Sequence, residues 1–409
     1  MALAQNIPGE VFIKTVSLFT DKGVMNMVEH VQGISIYESI FTPGILVELF
    51  VYDTKNIASV LPILGSEKLV IELNTPGRKA FKYDLILTGY RDGIMHDNMR
   101  SKGYTLTAAS VEVVRNKSNF VSKAYNTNVS SMVEDIIKSY LKTTKKISVQ
   151  QTRGIQKVIL PSVQPFEAID LLRRRSMSIE DKSSSYVFFE NQLGFHFKTL
   201  EKLFSDSNVG DRVFTNDPTL GVDITKSAFR NVIAYEQPKQ FDIVDRLNDG
   251  GMAIDIQKFD FKTLEYSRTT SKFKPSDYKN ADGTLKDPDL DSLKQYSGGA
   301  GIQSWVSHDS SVPDTFISDG LGPRAGGTAL YSQGGLLIHV LGDSELTAGQ
   351  TIEVKIVETS TATEAPKEHH QLSGKYVIAF LHHIITAEGS NPRYTCSIEA
   401  LKGAYKDPK

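Results

Sequence analysis

Leu46-Val-Glu-Leu-Phe-Val-Tyr-Asp53, then a polar break, then Leu61-Pro-Ile-Leu-Gly-Ser-Glu-Lys-Leu-Val-Ile-Glu-Leu73 is the stretch that decides how this chain is read. Apolar runs of strand length bounded by turn residues read as β-strands, here Ile45–Tyr52 and Leu69–Leu73. Working outward, Val11–Leu18, Gln32–Phe41, Phe81–Tyr90 and Tyr104–Val114 have the same character. Turn signals separate them at Asp21–Gly23, Pro43–Gly44, Pro76–Gly77 and Asp92–Gly93. Short strands at regular spacing predict an antiparallel barrel or sandwich.

The pattern changes near Asn116. Val129, Met132, Val133, Ile136, Ile137 and Leu141 recur at helical spacing, with Asn128 or Ser130 as the cap. A second helix is expected over Phe166–Ser176. Tyr186–Glu190 and Gly194–Lys198 read as a hairpin across Asn191-Gln-Leu. Strands return at Asn231–Tyr235, Met252–Phe261, Leu336–Leu341, Thr351–Val357, Lys375–Thr386 and Arg393–Leu401, and Thr359–His370 reads as a polar loop. Lys272 to Gly335 is polar and glycine-rich, too long for a plain connection, and reads as an insertion or extended arm. The expected class is mainly β with α+β parts. Its divisions are a first barrel domain at 1–115, an α+β middle domain at 116–210, a second barrel domain at 211–271 and 336–405, and the insertion at 272–335.

Bulk composition excludes several function classes. At 409 residues with 40% hydrophobic side chains, the chain is expected to fold as more than one domain. The 46 basic and 48 acidic residues leave a net charge of −2, without the basic excess that duplex-binding proteins use against phosphates. One cysteine, Cys396, cannot build a disulfide framework and suits a reducing compartment. No signal peptide is expected from Met1 to Val16, and no apolar run of about 18 residues is available to span a membrane as a helix.

The Leu46–Ile57 run, the Leu61–Leu73 run and Thr75-Pro-Gly resemble the first tube domain of central hub proteins from the baseplates of contractile-tailed bacteriophages. In that family a strand ends in Asp, a short helix follows, and a Leu-Pro-Ile-x-Gly-x-Glu turn opens the next strand. Ile159-Leu-Pro-Ser-Val-Gln-Pro-Phe-Glu-Ala-Ile-Asp-Leu-Leu and Tyr186-Val-Phe-Phe-Glu-Asn-Gln-Leu-Gly-Phe-His-Phe are similar to the family's middle domain. Phe241-Asp-Ile-Val-Asp-Arg-Leu-Asn-Asp-Gly-Gly-Met-Ala, Gly342-Asp-Ser-Glu-Leu-Thr-Ala-Gly-Gln-Thr-Ile and Leu372-Ser-Gly-Lys-Tyr-Val-Ile resemble its second tube domain. The departure is Pro323-Arg324-Ala325-Gly326-Gly327, a poor helix where the family commonly carries one.

This resemblance implies two tail-tube-like barrels per chain and a homotrimer that adapts a hexameric tail tube to a trimeric spike. It further implies a tube or tube-initiator protein and baseplate wedge proteins as partners, with DNA passing through the bore without specific binding. The location would be the virion tail baseplate, assembled in the host cytoplasm. A homologous hub in a phage-derived injection or secretion machine shares the implication. Two other classes are a baseplate cell-wall hydrolase, which a zymogram would reveal, and a receptor-binding fibre, which calls for repeats or a coiled coil absent here.

Candidate chemistry is sparse, and the chain reads as a non-enzyme with no catalytic, cofactor-binding or metal residues and no cofactor. His369–His370 lies in a polar loop and His382–His383 in a strand, where neighbours point to opposite faces, without zinc spacing around either pair. Asp287-Pro-Asp-Leu-Asp begins like a calcium loop, but Ser292 and Gly298 stand where Gly and Glu belong. Gly298-Gly-Ala-Gly and Gly322-Pro-Arg-Ala-Gly-Gly match neither a P-loop nor a dinucleotide fingerprint. Arg173–Arg175 complements a helix C-terminus, or else meets an acidic partner. No nucleophile elbow or zinc-protease motif is present, and Cys396 sits in a strand pattern beside no evident base.

Overall fold

Alternation of apolar and polar residues does build most of this molecule, a computed structural model that is mainly β. It describes residues 9–402 apart from 56, 58–62, 96–101, 182, 206–208, 218–227, 238–252, 273–278, 281–282, 285–301, 309–319, 323, 325–330, 332–334, 358–367, 370–371 and 388–391. The Phe241–Ala253 motif lies almost wholly outside the described residues, as do the Asp287 and Gly298 loops.

The first half contains β1 (Phe12–Thr20), β2 (Gly23–Asn26), β3 (Val31–Ser39), β4 (Leu46–Asp53), β5 (Lys68–Asn74), β6 (Phe81–Met95) and β7 (Lys102–Ser110). On β3, Ile34, Ile36 and Glu38 share one buried face at period two, with Ile40 continuing it. A middle region follows. It comprises α1 (Val111–Ser118), β8 (Val121–Thr127), α2 (Val129–Ser139), β9 (Ile147–Val149), β10 (Gln156–Val163), α3 (Pro165–Arg173), β11 (Tyr186–Asn191), β12 (Gly194–Thr199) and α4 (Leu200–Phe204). Asn128 caps α2 by accepting from the Ser131 backbone N–H at 2.9 Å, and Pro165 opens α3 where no donor is needed.

The last part supplies β13 (Val213–Thr215) and β14 (Val232–Glu236), then β15 (Ala253–Asp260) and β16 (Tyr266–Lys272). Two very short strands, β17 (Lys279–Asn280) and β18 (Gly283–Thr284), precede β19 (Ile302–His308). It ends with β20 (Gly335–Leu341), β21 (Thr351–Lys355), β22 (Gly374–Thr386) and β23 (Arg393–Lys402). β15, β16 and β19 form a sheet of their own, in which β15 and β19 run parallel.

One large sheet runs through both ends of the chain. In the first half its order is β3-β4-β7-β6-β5-β1; in the second it is β14-β20-β23-β22-β21-β13. The two paths match strand for strand in chain order. They also match in defects, because β3 bulges against β4 between Val31 and Gly33, and β14 bulges against β20 between Val232 and Ala234. β6 bulges against β7 between Leu87 and Gly89, and β22 against β23 between Ile378 and Phe380.

Crossing four strands gives the ladder Gly33–Phe50–Thr105–Arg91 in one half and Ala234–His339–Ser397–His382 in the other. Each ladder ends two residues beyond the second bulge. Bulges are designed features of a sheet, so two at identical ladder positions mark one frame used twice. The halves part company at their far edge, where β1 pairs antiparallel with β5 but β13 pairs parallel with β21.

A single apolar core fills both halves, from Val16, Ile36 and Leu85 to Ile338, Ile378 and Ile398. The middle region has its own core, with Val133, Ile136, Ile169 and Leu172 of the helices packed on Tyr186, Phe188 and Phe197. β11 is buried on both faces, because Val187 and Phe189 face Ala348, Val377 and Ala379 of the second half.

Three local expectations differ from the structure. β6 runs through Asp92–Gly93 to Met95 where a turn was expected. Val111–Val114 opens α1 instead of extending β7, since Arg115 anchors the helix by donating to the carbonyls of Leu141 and Lys142. β2, β8, β9, β10 and β16 are additional strands, as are β17, β18 and β19 within the stretch expected as an insertion or extended arm.

Candidate functional site

The two halves are joined where β22 leaves its own half. Its residues Phe380–Thr386 pair antiparallel with Ser39–Gly33 of β3, so the second half grips the first by its open edge. Tyr37 stacks on His382 with ring centroids 4.3 Å apart, and its hydroxyl donates to Glu48 at 3.1 Å.

Behind this seam lies Glu38, fully buried. It accepts from the Tyr83 hydroxyl, the Gln192 N–H and the Ala348 N–H, each at 3.0 Å. Those donors come from the first half, the middle hairpin and the second half, so one carboxyl ties three parts of the chain. Burial raises its pKa to about 7 against the pull of the three donors. The hairpin tip adds Asn191, whose amide donates to the Ala348 carbonyl at 2.8 Å. Gly194 completes that hairpin at φ +128°, where a Cβ would lie 2.1 Å from the Lys146 carbonyl oxygen.

Two ionic clusters flank the seam. Lys145 bridges Glu112 at 2.7 Å and the fully buried Glu190, which also accepts from Ser110. Burial raises the Glu190 pKa; burial opposes the charge on Lys145, but its two carboxylates win and raise its pKa. On the other flank, the buried Asp343 meets Arg230 at 3.0 Å and Arg78 at 3.4 Å. Asp211 holds the same two arginines at 3.0 Å each, and Glu345 takes Arg78 at 3.1 Å. Burial opposes ionisation of Asp211, but Arg230 and Arg78 hold its pKa down at about 2.

The Thr75-Pro-Gly and Gly342-Asp-Ser-Glu motifs meet here, because the Ser344 N–H donates to Thr75 Oγ1 at 3.2 Å and its hydroxyl to the Lys79 carbonyl at 3.0 Å. Sequence reasoning singled out both motifs but gave no role of their own to Glu38, Glu190 or Asp343. A signal existed for Glu38, a charge on the same strand face as Ile34, Ile36 and Ile40.

The sequence candidates fall in separate places. His382 lies on the seam. His383 is fully buried, its Nδ1 2.7 Å from the Tyr394 hydroxyl and 3.4 Å from Cys396 Sγ. Burial pushes the His383 pKa down to about 3 and the Cys396 thiol up to about 12, so this pair holds a neutral ring and a protonated thiol. His369 accepts from the Leu372 N–H at 3.3 Å, and His370 lies outside the described residues. Arg173 and Arg174 both donate to Asp170, and Arg324 donates to the Arg174 carbonyl at 2.7 Å. Among the described residues no three His, Cys, Asp or Glu side chains gather to hold a metal, and no helix is long and apolar enough to cross a membrane.

No family model matches this sequence, and no curated protein matches it. Solved structures do share its fold. The 43 kDa tail protein of prophage MuSo2 from Shewanella oneidensis matches at TM-score 0.54 and 9% identity, over 95% of this chain and 97% of that one. A tail protein from Neisseria meningitidis MC58 matches at TM-score 0.54 and 10% identity, over 95% and 96%. The fold of this chain is therefore one that phage tail proteins also adopt, along nearly the whole length of both.

Proposed function

We propose that the chain is a structural hub subunit of a contractile-tail baseplate, working as a homotrimer that adapts a hexameric tail tube to a trimeric spike. The observation that carries this reading is the frame used twice. Two equivalent wedges per chain let three chains present six equivalent faces to a sixfold tube while keeping threefold symmetry towards the spike. The two domains would each curve as a tube-like barrel, with the middle region bracing the seam from outside.

The fold shared with two phage tail proteins supports a role in a tail. The near-neutral charge suits a bore through which DNA slides without being held. Spike, tube-initiator and wedge proteins are the partners such a ring would contact. The function is mechanical fit, and the buried, neutral state of Cys396 and His383 is consistent with a chain that performs no covalent chemistry.

Native mass measurement at micromolar concentration, alone and with a candidate spike, tests this. A closed trimer is expected. A chain that stays monomeric in both conditions would contradict it.

A further inference from the structure

The seam within the chain predicts the seam between chains. At the internal joint, the outer edge of β22 beyond its bulge holds the outer edge of β3. Each of these strands has a twin. β6 is the twin of β22 and β14 the twin of β3, by strand order and by both bulges. Among the described residues the twin edges are open. β5 and the Glu67 carbonyl before it cover β6 only as far as Leu87. Beyond it, among the described residues, no strand pairs with that side of β6, and the outer side of β14 carries only the single bridge from Asn231 to Thr215.

Exposure tells the same story. Counting from the bulges, Tyr235 is the twin of Ile34, and Tyr90 the twin of Leu381. Ile34 and Leu381 are 1% and 0% exposed at the closed joint, whereas Tyr235 and Tyr90 are 43% and 38% exposed. Large side chains are partly exposed at the two places where their counterparts are sealed. Uncovered edges of this kind template strand addition.

We infer that β14 of one copy adds antiparallel to the Gly89–Met95 edge of β6 in a second copy, repeating the β22–β3 joint between chains. This rests on the reading of the chain as a ring-forming hub and specifies which surfaces close the ring. The contact is head-to-tail, so one copy offers β6 while its neighbour offers β14, and the same step closes a ring. Transposed residue by residue, Ser35–Ile384 becomes Glu236–Gly93, Ile34–Ile385 becomes Tyr235–Ile94, and Gly33–Thr386 becomes Ala234–Met95. β6 has one extra irregularity against β7 between Asp92 and Met95, so the true register falls within one residue of this.

Disulfide mapping tests it. The chain's one cysteine, Cys396, is fully buried, so introduced thiols report cleanly. Tyr235→Cys is combined in turn with Gly93→Cys, Ile94→Cys and Met95→Cys, and each protein is oxidised mildly at micromolar concentration. One of the three pairs is expected to give covalent dimers and trimers in a majority of chains, while each single variant gives none. Tyr235→Pro, tolerated at a sheet edge, is expected to weaken assembly at least about 100-fold while leaving the monomer folded. If a trimer forms by native mass but no pair cross-links, the edge assignment is wrong and the hub reading stands. Cross-linking of Tyr235→Cys to itself would mean a two-fold contact and overturn the head-to-tail joint. If no assembly forms under any condition, both readings fall.

Discussion

The edge of β3 and the edge of β14 occupy the same place in their two halves, yet the first is covered along its length by β22 and, among the described residues, the second is almost bare. The frames behind them agree to the residue at two bulges. What differs is everything laid against the frame. The first half is met by the hairpin tip of the middle region through Glu38, and its β5–β6 turn is clamped by Asp343 and Glu345 of the second half. The comparison teaches that the fold repeats its backbone registration, while buried polar and charged side chains tie the internal joint together. Covering the β3 edge took a strand; Glu38 and Asp343 add side-chain ties between the halves, and Glu190 fastens the middle region to the end of β7.

The comparison breaks most severely at the buried clusters. Asp343→Ala leaves Arg78 and Arg230 sharing only the exposed Asp211, and a loss of about 3 kcal/mol in unfolding free energy is expected from urea titration. Lys145→Met strands Glu112 and Glu190 in the same way, and a loss of similar order is expected, read as a drop in the urea midpoint at unchanged slope.

A smaller and more selective effect comes from Glu38. Its folded pKa of about 7 lies above its ordinary 4.5, so between these values the folded chain holds a proton that the unfolded chain has released. That contribution is complete below pH 4.5 and disappears as pH rises through 7. The wild type should therefore lose stability from pH 5 to pH 8 more steeply than Glu38→Gln, by up to about 3 kcal/mol. Parallel urea titrations at the two pH values check this, and equal slopes in both proteins would show that Glu38 stays ionised in the fold. The smallest effect is expected at the solvent side of the seam. Tyr37→Leu removes the stack on His382, for a loss of about 0.5–1.5 kcal/mol measured by thermal melting.

Much of this was legible in the sequence because strands such as β3 at the seam and β20 beside β14 alternate between buried and half-buried positions. Ile34-Ser-Ile-Tyr-Glu-Ser and Leu336-Leu-Ile-His-Val announce a half-buried strand without help from the rest of the chain. The Asn191 hairpin and the Asn128 cap were visible for the same local reason. Asp92–Gly93 misled because the pair is a strong turn signal, and only the ladder to β7 shows that the strand continues. Val111–Val114 misled because β-branched residues favour strands, while the contacts that bend the chain into α1 come from Leu141 and Lys142. Pairings such as β13 with β21 or β22 with β3 join residues well over a hundred positions apart, and no window of sequence carries them. Asp343 was noticed only as part of a motif, because its arginines lie far away in the chain.

Imaging the assembled protein at a resolution that separates strands tests the central claim most directly. Three chains should form one closed ring in which β6 passes to the neighbour's β14 as β22 passes to β3, giving six matching wedges around an opening. A ring whose chains touch through other strands, or particles that never close, would contradict it.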